Sequence, residues 1–321
     1  MPGINRREFL QTSALGLGLA GCASRLSPPD ETTVSIAAAP DYDQRIYAIL
    51  RQVLAEHRLD VRGKRVLLKP NLIEFEPDGP INTQPLLVHA ALEAFRSLGA
   101  QVAIGEGPGH RRNTLDLAEA AGYFRAIPRF EDLFTDLNLD DVVHFKLNYP
   151  HSKLNAVYLA RSVLSCDLLV SMPKMKTHHW AGATLSMKNL FGAVSGGVYG
   201  WPKNILHWAG IHQCVADLYR ALPHHFAIVD GIVGMQGNGP IQGLPKRSGV
   251  LVAGRDLAAV DATCCRLMGI DPRRIDYLQF ATGDVPQLLR STRQIGEPVD
   301  RFATSFDLLP ELSGLRLVQP V

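Results

Sequence analysis

The chain has 321 residues, of which 46% are hydrophobic and 20% are charged, and its formal net charge is +2. This balance is typical of a globular protein whose core suffices for one large domain or for two intertwined lobes. The sequence has no basic tract and no alternation of basic and aromatic residues, which argues against binding to nucleic acid.

The beginning of the chain is typical of a bacterial export signal. The adjacent Arg6 and Arg7 precede a short apolar run over 12–20, which is too short for a membrane-spanning helix of about 20 residues. This arrangement matches a twin-arginine signal, a type used by proteins that cross the membrane already folded, often with a cofactor in place. Residues 19–22 resemble a lipobox, in which the sulfur of Cys22 takes a diacylglycerol.

We therefore predict a twin-arginine signal peptide with a lipobox over 1–22, a tether over 23–40 and an α/β domain over 41–321. The protein is expected to use the twin-arginine translocation machinery and to reside in the periplasm or cell envelope. The lipid on Cys22 would hold it at a membrane. The alternative is a free cysteine in an ordinary cleavage region.

Short apolar strands and amphipathic helices follow one another along the rest of the chain. Strands are predicted over 65–69, 101–105, 167–171, 226–230 and 249–253, and helices over 85–98 and 257–268. The strands are continuous apolar runs, which fit a sheet covered on both faces, and the first β-α-β unit implies parallel strands. The predicted fold is α/β, with a mostly parallel sheet and helices on both faces.

Each predicted strand is followed at once by residues that suit a ligand site. These segments, rich in glycine, proline and charged residues, are 69–71, 105–110, 173–179, 230–240 and 254–256. Since the carboxyl ends of parallel strands share one edge, and ligands bind there, we expect the segments to converge on a single site.

The chemistry of these segments favours a small-molecule anion such as a phosphate or a carboxylate. Lysines supply positive charge, and glycines let backbone N–H groups approach the ligand. The predicted binding residues are Lys69, Asn71, Gly105, Gly107, Lys174, Lys176, Lys188, Asn189, Gly237, Asn238 and Gly239. The candidates for proton transfer are Asp230, Glu106 and His178, and His178 is also the first candidate for a metal ligand. A nucleotide-like or metal cofactor would fit the same edge.

Several familiar catalytic motifs are absent from the sequence. Gly105, Gly107 and Gly109 do not have the G-x-G-x-x-G spacing of a dinucleotide site, and no G-x-x-x-x-G-K-[ST] phosphate loop occurs. Ser195 lacks the G-x-S-x-G context of a hydrolase nucleophile. Nucleotide hydrolysis and serine hydrolysis are therefore not expected.

The five cysteines do not form a metal-binding pattern. Because no C-x-x-C occurs, neither an iron–sulfur cluster nor a structural zinc site is expected. Cys264 and Cys265 are predicted to be small buried side chains in a helix. Spacing alone leaves a disulfide between Cys166 and Cys214 open.

A set of motifs in order along the chain resembles the bacterial and archaeal domain-of-unknown-function family 362. They are KPNLI at 69–73, IGEGPG at 104–109, SMPKMKTH at 171–178, MKNLFG at 187–192, IVDGIVGMQGNGP at 228–240 and DLAAVDATCCRLMG at 256–269. The resemblance covers about residues 60–285. Many members carry ferredoxin-type cysteine clusters, which imply redox chemistry, but this chain has none.

That family is also distantly similar to the catalytic protein of lactate racemase, which holds a nickel–pincer nucleotide with lysine and histidine. The similarity implies Lys174, Lys176, His178 and Lys188 as cofactor contacts. We therefore expect an enzyme of redox or isomerase type. The alternative is a non-catalytic envelope lipoprotein that binds a solute or a metal, and a scaffold without a ligand would leave these lysines scattered over open surface.

Overall fold

The computed structural model describes residues 32–77, 79–110, 113–222 and 225–318. The predicted signal peptide and Cys22 lie outside these residues. The predicted tether over 23–40 needs a correction, because Thr32–Ala38 is a strand inside the main sheet, with Val34 and Ile36 buried. Ser35, between them, is buried as well, so the middle of the strand is covered on both faces.

The described residues contain twelve strands. They are β1 (Thr32–Ala38), β2 (Arg65–Pro70), β3 (Gln101–Glu106), β4 (Phe134–Asp136), β5 (Val142–Lys146), β6 (Ala156–Ala160), β7 (Leu168–Met172), β8 (Lys174–His178), β9 (Gly182–Thr184), β10 (His225–Gln236), β11 (Leu244–Gly254) and β12 (Thr292–Gly296).

The same part of the chain contains thirteen α-helices. They are α1 (Arg45–Glu56), α2 (Pro85–Ser97), α3 (Thr114–Ala120), α4 (Tyr123–Ala126), α5 (Phe130–Leu133), α6 (Arg161–Ser165), α7 (Gly196–Tyr199), α8 (Ile205–Trp208), α9 (Ile211–Ala221), α10 (Leu257–Leu267), α11 (Asp276–Thr282), α12 (Val285–Ser291) and α13 (Val299–Phe302). Short 3₁₀-helices cover Lys188–Ala193, Pro272–Arg274 and Pro310–Leu315.

The α/β fold with a mostly parallel sheet is confirmed. The main sheet has the order β12-β1-β11-β10-β7-β2-β3-β4, and β8 pairs with β10 and with the short β9. Strands β2, β3, β4, β7 and β10 run parallel to their neighbours in this series, as the β-α-β pattern predicts. Their carboxyl ends therefore lie along one edge of the sheet.

The fifth predicted strand runs the other way. Strand β11 is antiparallel to both β10 and β1, and its last residue, Gly254, pairs with Ala227 near the start of β10. The segment over 254–256 consequently lies at the amino edge and does not join the predicted site. An apolar run has the same pattern in either direction, so the sequence did not reveal the reversal.

Both faces of the sheet are covered, as the apolar strands predict. Along β2, Leu67 belongs to one buried apolar cluster, whereas Val66 and Leu68 belong to another on the opposite face. The chain from Thr32 onward forms one compact unit, so the alternative of two lobes is not observed.

Helix α10 forms as predicted. The side chain of Asp256 accepts hydrogen bonds from the backbone N–H groups of Ala258 and Ala259, which caps the helix. Cys264 and Cys265 are fully buried in this helix, which confirms their predicted packing role. Cys166 and Cys214 are free thiols.

The region beyond 275, to which the sequence pattern assigned no structure, folds back on the sheet. Strand β12 pairs in parallel with β1, and α11 packs against α9. Among the described helices, none combines the length and the apolar composition that crossing a bilayer requires.

Candidate functional site

A cavity with an empty volume of about 680 Å³ lies at the carboxyl ends of β2 and β3. Its walls come from residues within five parts of the chain: 69–73, 106–110, 178–192, 202–207 and Pro240. Four of the five predicted segments contribute. The fifth, over 254–256, lies at the amino edge of the sheet because β11 is antiparallel.

The charged groups of the cavity are mostly cationic. Lys69, Lys188 and Lys203 line it, and Glu106 is the one carboxylate among the described lining residues. Which of these groups are free to meet a ligand depends on their hydrogen bonds within the protein.

Lys69 and Glu106 form a buried ion pair. The Nζ atom of Lys69 donates to Oε2 of Glu106 at 2.6 Å and to Oδ1 of Asn189 at 3.2 Å, while Oε1 of Glu106 accepts from the backbone N–H of Gly107 at 2.7 Å. A Cβ atom at Gly192 would overlap the Glu106 carboxylate, so glycine is required there. Both oxygens of Glu106 are thus engaged, and this geometry does not provide the free base that the sequence analysis assigned to it.

The hydrogen-bond donors of Lys203 are also used within the protein. Its Nζ atom donates to the backbone oxygens of Gly107 at 2.6 Å and Val194 at 2.7 Å, and to Oδ1 of Asn138 at 2.9 Å. An ammonium has three protons, so its donors are all used. Burial lowers the pKa of Lys203 to about 7. A lysine directly after Trp-Pro has the pattern of an exposed turn, so the sequence does not single out Lys203.

Lys188 differs from the other two lysines. Its Nζ atom lies 3.8 Å from the centre of the Phe191 ring, and within the described part of the chain it makes no hydrogen bond or ion pair. Burial, followed by the charges of Lys69 and Lys203, lowers the pKa of Lys188 to about 7. It is therefore the ammonium with donors left for a ligand.

Asp261 holds the segment that carries Lys188. This buried carboxylate of α10 accepts from the backbone N–H of Ser186 at 2.8 Å and of Met187 at 3.1 Å, and from the Ser186 hydroxyl. The 3₁₀-helix that begins at Lys188 follows directly. The sequence signal for Asp261 is a single carboxylate in a mostly apolar helix.

His178 lines the cavity as a hydrogen-bond donor. Its Nδ1 atom accepts from the backbone N–H groups of Trp180 at 2.9 Å and Ala181 at 3.1 Å, so the neutral ring carries its proton on Nε2. Burial and the charge of Lys188 hold the pKa of His178 well below its usual range. A protonated Nε2 suits neither a general base nor a metal ligand.

No metal site is evident in the described ranges. They contain no group of three or more His, Cys, Asp or Glu side chains placed to hold an ion. Together with the proton on Nε2 of His178, this donor set does not fit a metal cofactor. The cationic cavity instead fits an anionic group.

Asp230 and Lys174 lie outside the cavity lining. Lys174 donates from Nζ to Oδ2 of Asp230 at 2.6 Å, and that carboxylate also accepts from the Tyr42 hydroxyl at 2.7 Å and the backbone N–H of Gln84 at 3.0 Å. The cluster ties β8, β10 and the start of α2 together. This geometry gives Asp230 a structural position and does not place it against a ligand in the cavity.

Lys176 is fully buried behind the cavity wall. Its Nζ atom donates to Oδ1 of Asn71 at 2.8 Å and to the backbone oxygens of Ile81 at 2.8 Å and Pro240 at 3.2 Å. Burial holds its pKa well below the usual range. Since Asn71 and Pro240 line the cavity, Lys176 fixes the wall and does not reach a ligand.

The predicted glycines are dispersed. Gly107 lines the cavity, whereas Gly105 packs against Leu137 inside β3. Gly237 and the exposed Asn238 lie in a turn away from the lining, and the carbonyl of the buried Gly239 accepts from the backbone of His179. The cavity thus brings together Lys69, Asn71, Glu106, Gly107, His178, Lys188 and Asn189 from the predicted set.

The fold and the site define an α/β protein with a cationic cavity at the carboxyl edge of its sheet. The family model described as "Domain of unknown function (DUF362)" matches residues 66–266, and the chain belongs to this family. The resemblance drawn from the sequence motifs is therefore confirmed.

The proteins similar to this chain include a cyanobacterial relative and a protein of known structure. A thylakoid-associated protein of Synechocystis sp. (strain ATCC 27184 / PCC 6803 / Kazusa) is 28% identical over 268 residues, which cover 79% of this chain and 80% of that protein. The lactate racemase apoprotein from Thermoanaerobacterium thermosaccharolyticum has 14% sequence identity and a TM-score of 0.46. That match covers 75% of this chain and 58% of the racemase chain, so this chain spans less than two thirds of the racemase.

Removal of Lys174 is expected to destabilise the fold. The variant Lys174→Met leaves the buried Asp230 carboxylate without its cation, and such losses lower the free energy of unfolding by about 3–5 kcal/mol. Urea denaturation measures the effect, with the exposed Lys146→Met as a matched control. The double variant Lys174→Met/Asp230→Asn should recover part of the loss. A single variant as stable as the control would contradict a structural role for the pair.

Proposed function

We propose that the protein is an exported, lipid-anchored enzyme that binds a small anion in the cavity and moves a proton on it, in a reaction of isomerase type. The observation that carries this proposal is the state of Lys188. The other charged groups of the described lining are paired within the protein, whereas Lys188 presents an ammonium without a hydrogen-bond acceptor.

The acid–base properties of Lys188 support proton transfer. A group with a pKa of about 7 is partly protonated at neutral pH, so it can both donate and accept a proton. The charges of Lys69 and Lys203 contribute to this lowered pKa. Their own hydrogen bonds fix them in place, so the electrostatic environment of Lys188 is built into the fold.

Two further groups suit an oxygen atom of the ligand. His178 has a proton on Nε2, and Thr184 has a buried hydroxyl without a partner among the described residues. Both side chains line the cavity with Lys188, and the ring of Phe191 provides an apolar wall. A carboxylate or phosphate in this cavity would meet donors from three side chains of the segment over 178–192.

Export and membrane attachment are supported by the sequence. Arg6 and Arg7, the short apolar run and the Leu-Ala-Gly-Cys ending at Cys22 together match a twin-arginine lipoprotein signal. The Synechocystis relative is named for association with thylakoids, which supports a membrane location by similarity.

A non-catalytic solute-binding lipoprotein is the second candidate. The observation that favours it is the engagement of both Glu106 oxygens, which leaves mainly donors in the cavity. Donors alone suffice to bind an anion, whereas an enzyme requires the titration of Lys188 at neutral pH.

Replacement of Lys188 is expected to weaken anion binding strongly, with little effect on folding. In wild-type protein, sulfate should raise the midpoint of thermal unfolding, because an ion that binds only the folded state stabilises it. In Lys188→Met the apparent affinity for sulfate should fall at least tenfold, because the variant loses one charge-assisted contact of about 1.5–3 kcal/mol. Lys146→Met serves as the control, and an unchanged response in Lys188→Met would remove it from the site.

The affinity for sulfate is expected to fall as pH rises through about 7. The folded pKa of Lys188 is lowered, so the free protein loses the ammonium above that pH and must regain a proton to bind. The decrease should approach tenfold per pH unit. Sulfate keeps its charge over this range, and isothermal titration measures its affinity. In Lys188→Arg the profile should flatten; a steep decline retained in that variant would assign the titration to another group.

The lipid anchor is tested separately in cells. We expect wild-type protein in the membrane fraction and Cys22→Ala in a soluble exported fraction, because the acylated cysteine is lost. Arg6→Lys/Arg7→Lys should keep the precursor in the cytoplasm. Fractionation with immunoblotting measures both, and membrane attachment of Cys22→Ala equal to that of wild type would reject lipidation at this residue.

A further inference from the structure

We infer that Lys188 forms a covalent imine with an aldehyde or ketone that also carries an anionic group. This inference rests on the proposed function, because the same cavity would bind the anion. It adds the chemical class of the substrate, a carbonyl compound, and a nucleophilic role for the amine.

The position of the amine supports this role. The Nζ atom of Lys188 lies against the face of Phe191, and no acceptor within the described residues holds its protons or fixes its lone pair. Lys69 and Lys203, by contrast, direct their protons at three acceptors each. Lys188 is therefore the lining lysine that can approach a carbonyl carbon without breaking a hydrogen bond.

The surroundings of Lys188 favour its unprotonated form. His110, His178 and His207 line the cavity together with Lys188. Burial, and then the charge of Lys188, lowers the pKa of His178 and of His207, and burial lowers the pKa of His110. The three rings are therefore neutral at pH 7 and place no negative charge beside the amine. A desolvated pocket with other cations nearby is the environment in which lysines act as nucleophiles.

The reaction is balanced without an oxidant or a reductant. The lone pair of Nζ attacks the carbonyl carbon and a C–N bond forms. Both amine protons leave with the carbonyl oxygen as water, and the C=N bond is completed. The proton on Nε2 of His178 is available to an oxygen in the cavity as negative charge develops there.

An imine explains how one small site promotes proton transfer. When the imine nitrogen is protonated, it withdraws electrons from the neighbouring carbon, so that a proton on that carbon is lost more readily. The ammonium gives up one proton to solvent before the attack, and the imine nitrogen takes up a proton from solvent afterwards. The anionic group of the substrate therefore has a cationic partner again once the protonated imine has formed.

The test is reductive trapping of the full chain. Protein at pH 7 is incubated with pyruvate or, in a parallel sample, glycolaldehyde phosphate, and then treated with sodium borohydride; peptide mass spectrometry locates the reduced adduct. About half of a lysine with a pKa near 7 is unprotonated at this pH, compared with roughly one in 2,500 for an exposed lysine. Lys203 has a similar pKa, but its Nζ atom is held by three acceptors. The adduct should therefore be concentrated at Lys188, with far less at Lys203 and at the exposed Lys146.

Two variants separate the inference from the proposed function. Lys188→Arg keeps the positive charge and should retain stabilisation by sulfate, but it should lose the adduct. Lys188→Met should lose both, and thermal unfolding confirms that each variant is folded. If neither probe gives an adduct at Lys188 in protein that sulfate still stabilises, the imine is overturned. The proposed anion site is then unaffected. Failure of sulfate to stabilise wild-type protein would instead overturn the proposed function.

Discussion

Burial of positive charge is the constraint on which this structure depends. Lys69, Lys174, Lys176 and Lys203 are all removed from solvent near the carboxyl edge of the sheet. A buried ammonium is unfavourable unless oxygen acceptors replace its water. Two of these lysines have a carboxylate, whereas Lys176 and Lys203 rely on backbone and amide oxygens. The loops at this edge take their shape from that requirement, because each must present a carbonyl or an amide to a lysine.

Lys188 is set apart by the same physical reasoning. Because the neighbouring lysines use the nearby acceptors, Lys188 is left with an aromatic face. The pKa of Lys188 is set by its surroundings, because burial and then the charges of Lys69 and Lys203 oppose its protonation. The committed lysines thus act on the candidate chemistry from a distance, although their donors are used within the protein.

The sequence allowed prediction of the elements with strong local patterns and of the edge where the site lies. Strands β2, β3 and β7 and helix α10 were found because apolar runs and caps are local properties. The direction of β11 was not predicted, because strand polarity depends on pairing with distant parts of the chain.

The positions of some site residues were also wrong or missed. Lys174 and Lys176 were misplaced because the segment over 173–179 resembled a loop. As residues of β8 they lie on one side of a strand and face inward. Lys203 and Asp261 were missed because most of their hydrogen-bond partners lie 65 or more residues away along the chain.

The bond between Asp261 and the Ser186–Met187 backbone has a consequence for biosynthesis. The segment carrying Lys188 is anchored by a carboxylate 74 or 75 residues further along the chain. A nascent polypeptide therefore lacks an assembled cavity until ribosomes have translated most of the molecule. Under the proposed function, a full-length chain could therefore bind the ligand, whereas a chain truncated before Asp261 could not. A secretion route that accepts only folded cargo would benefit from such a distinction, because an incomplete product could neither hold the ligand nor gain stability from it.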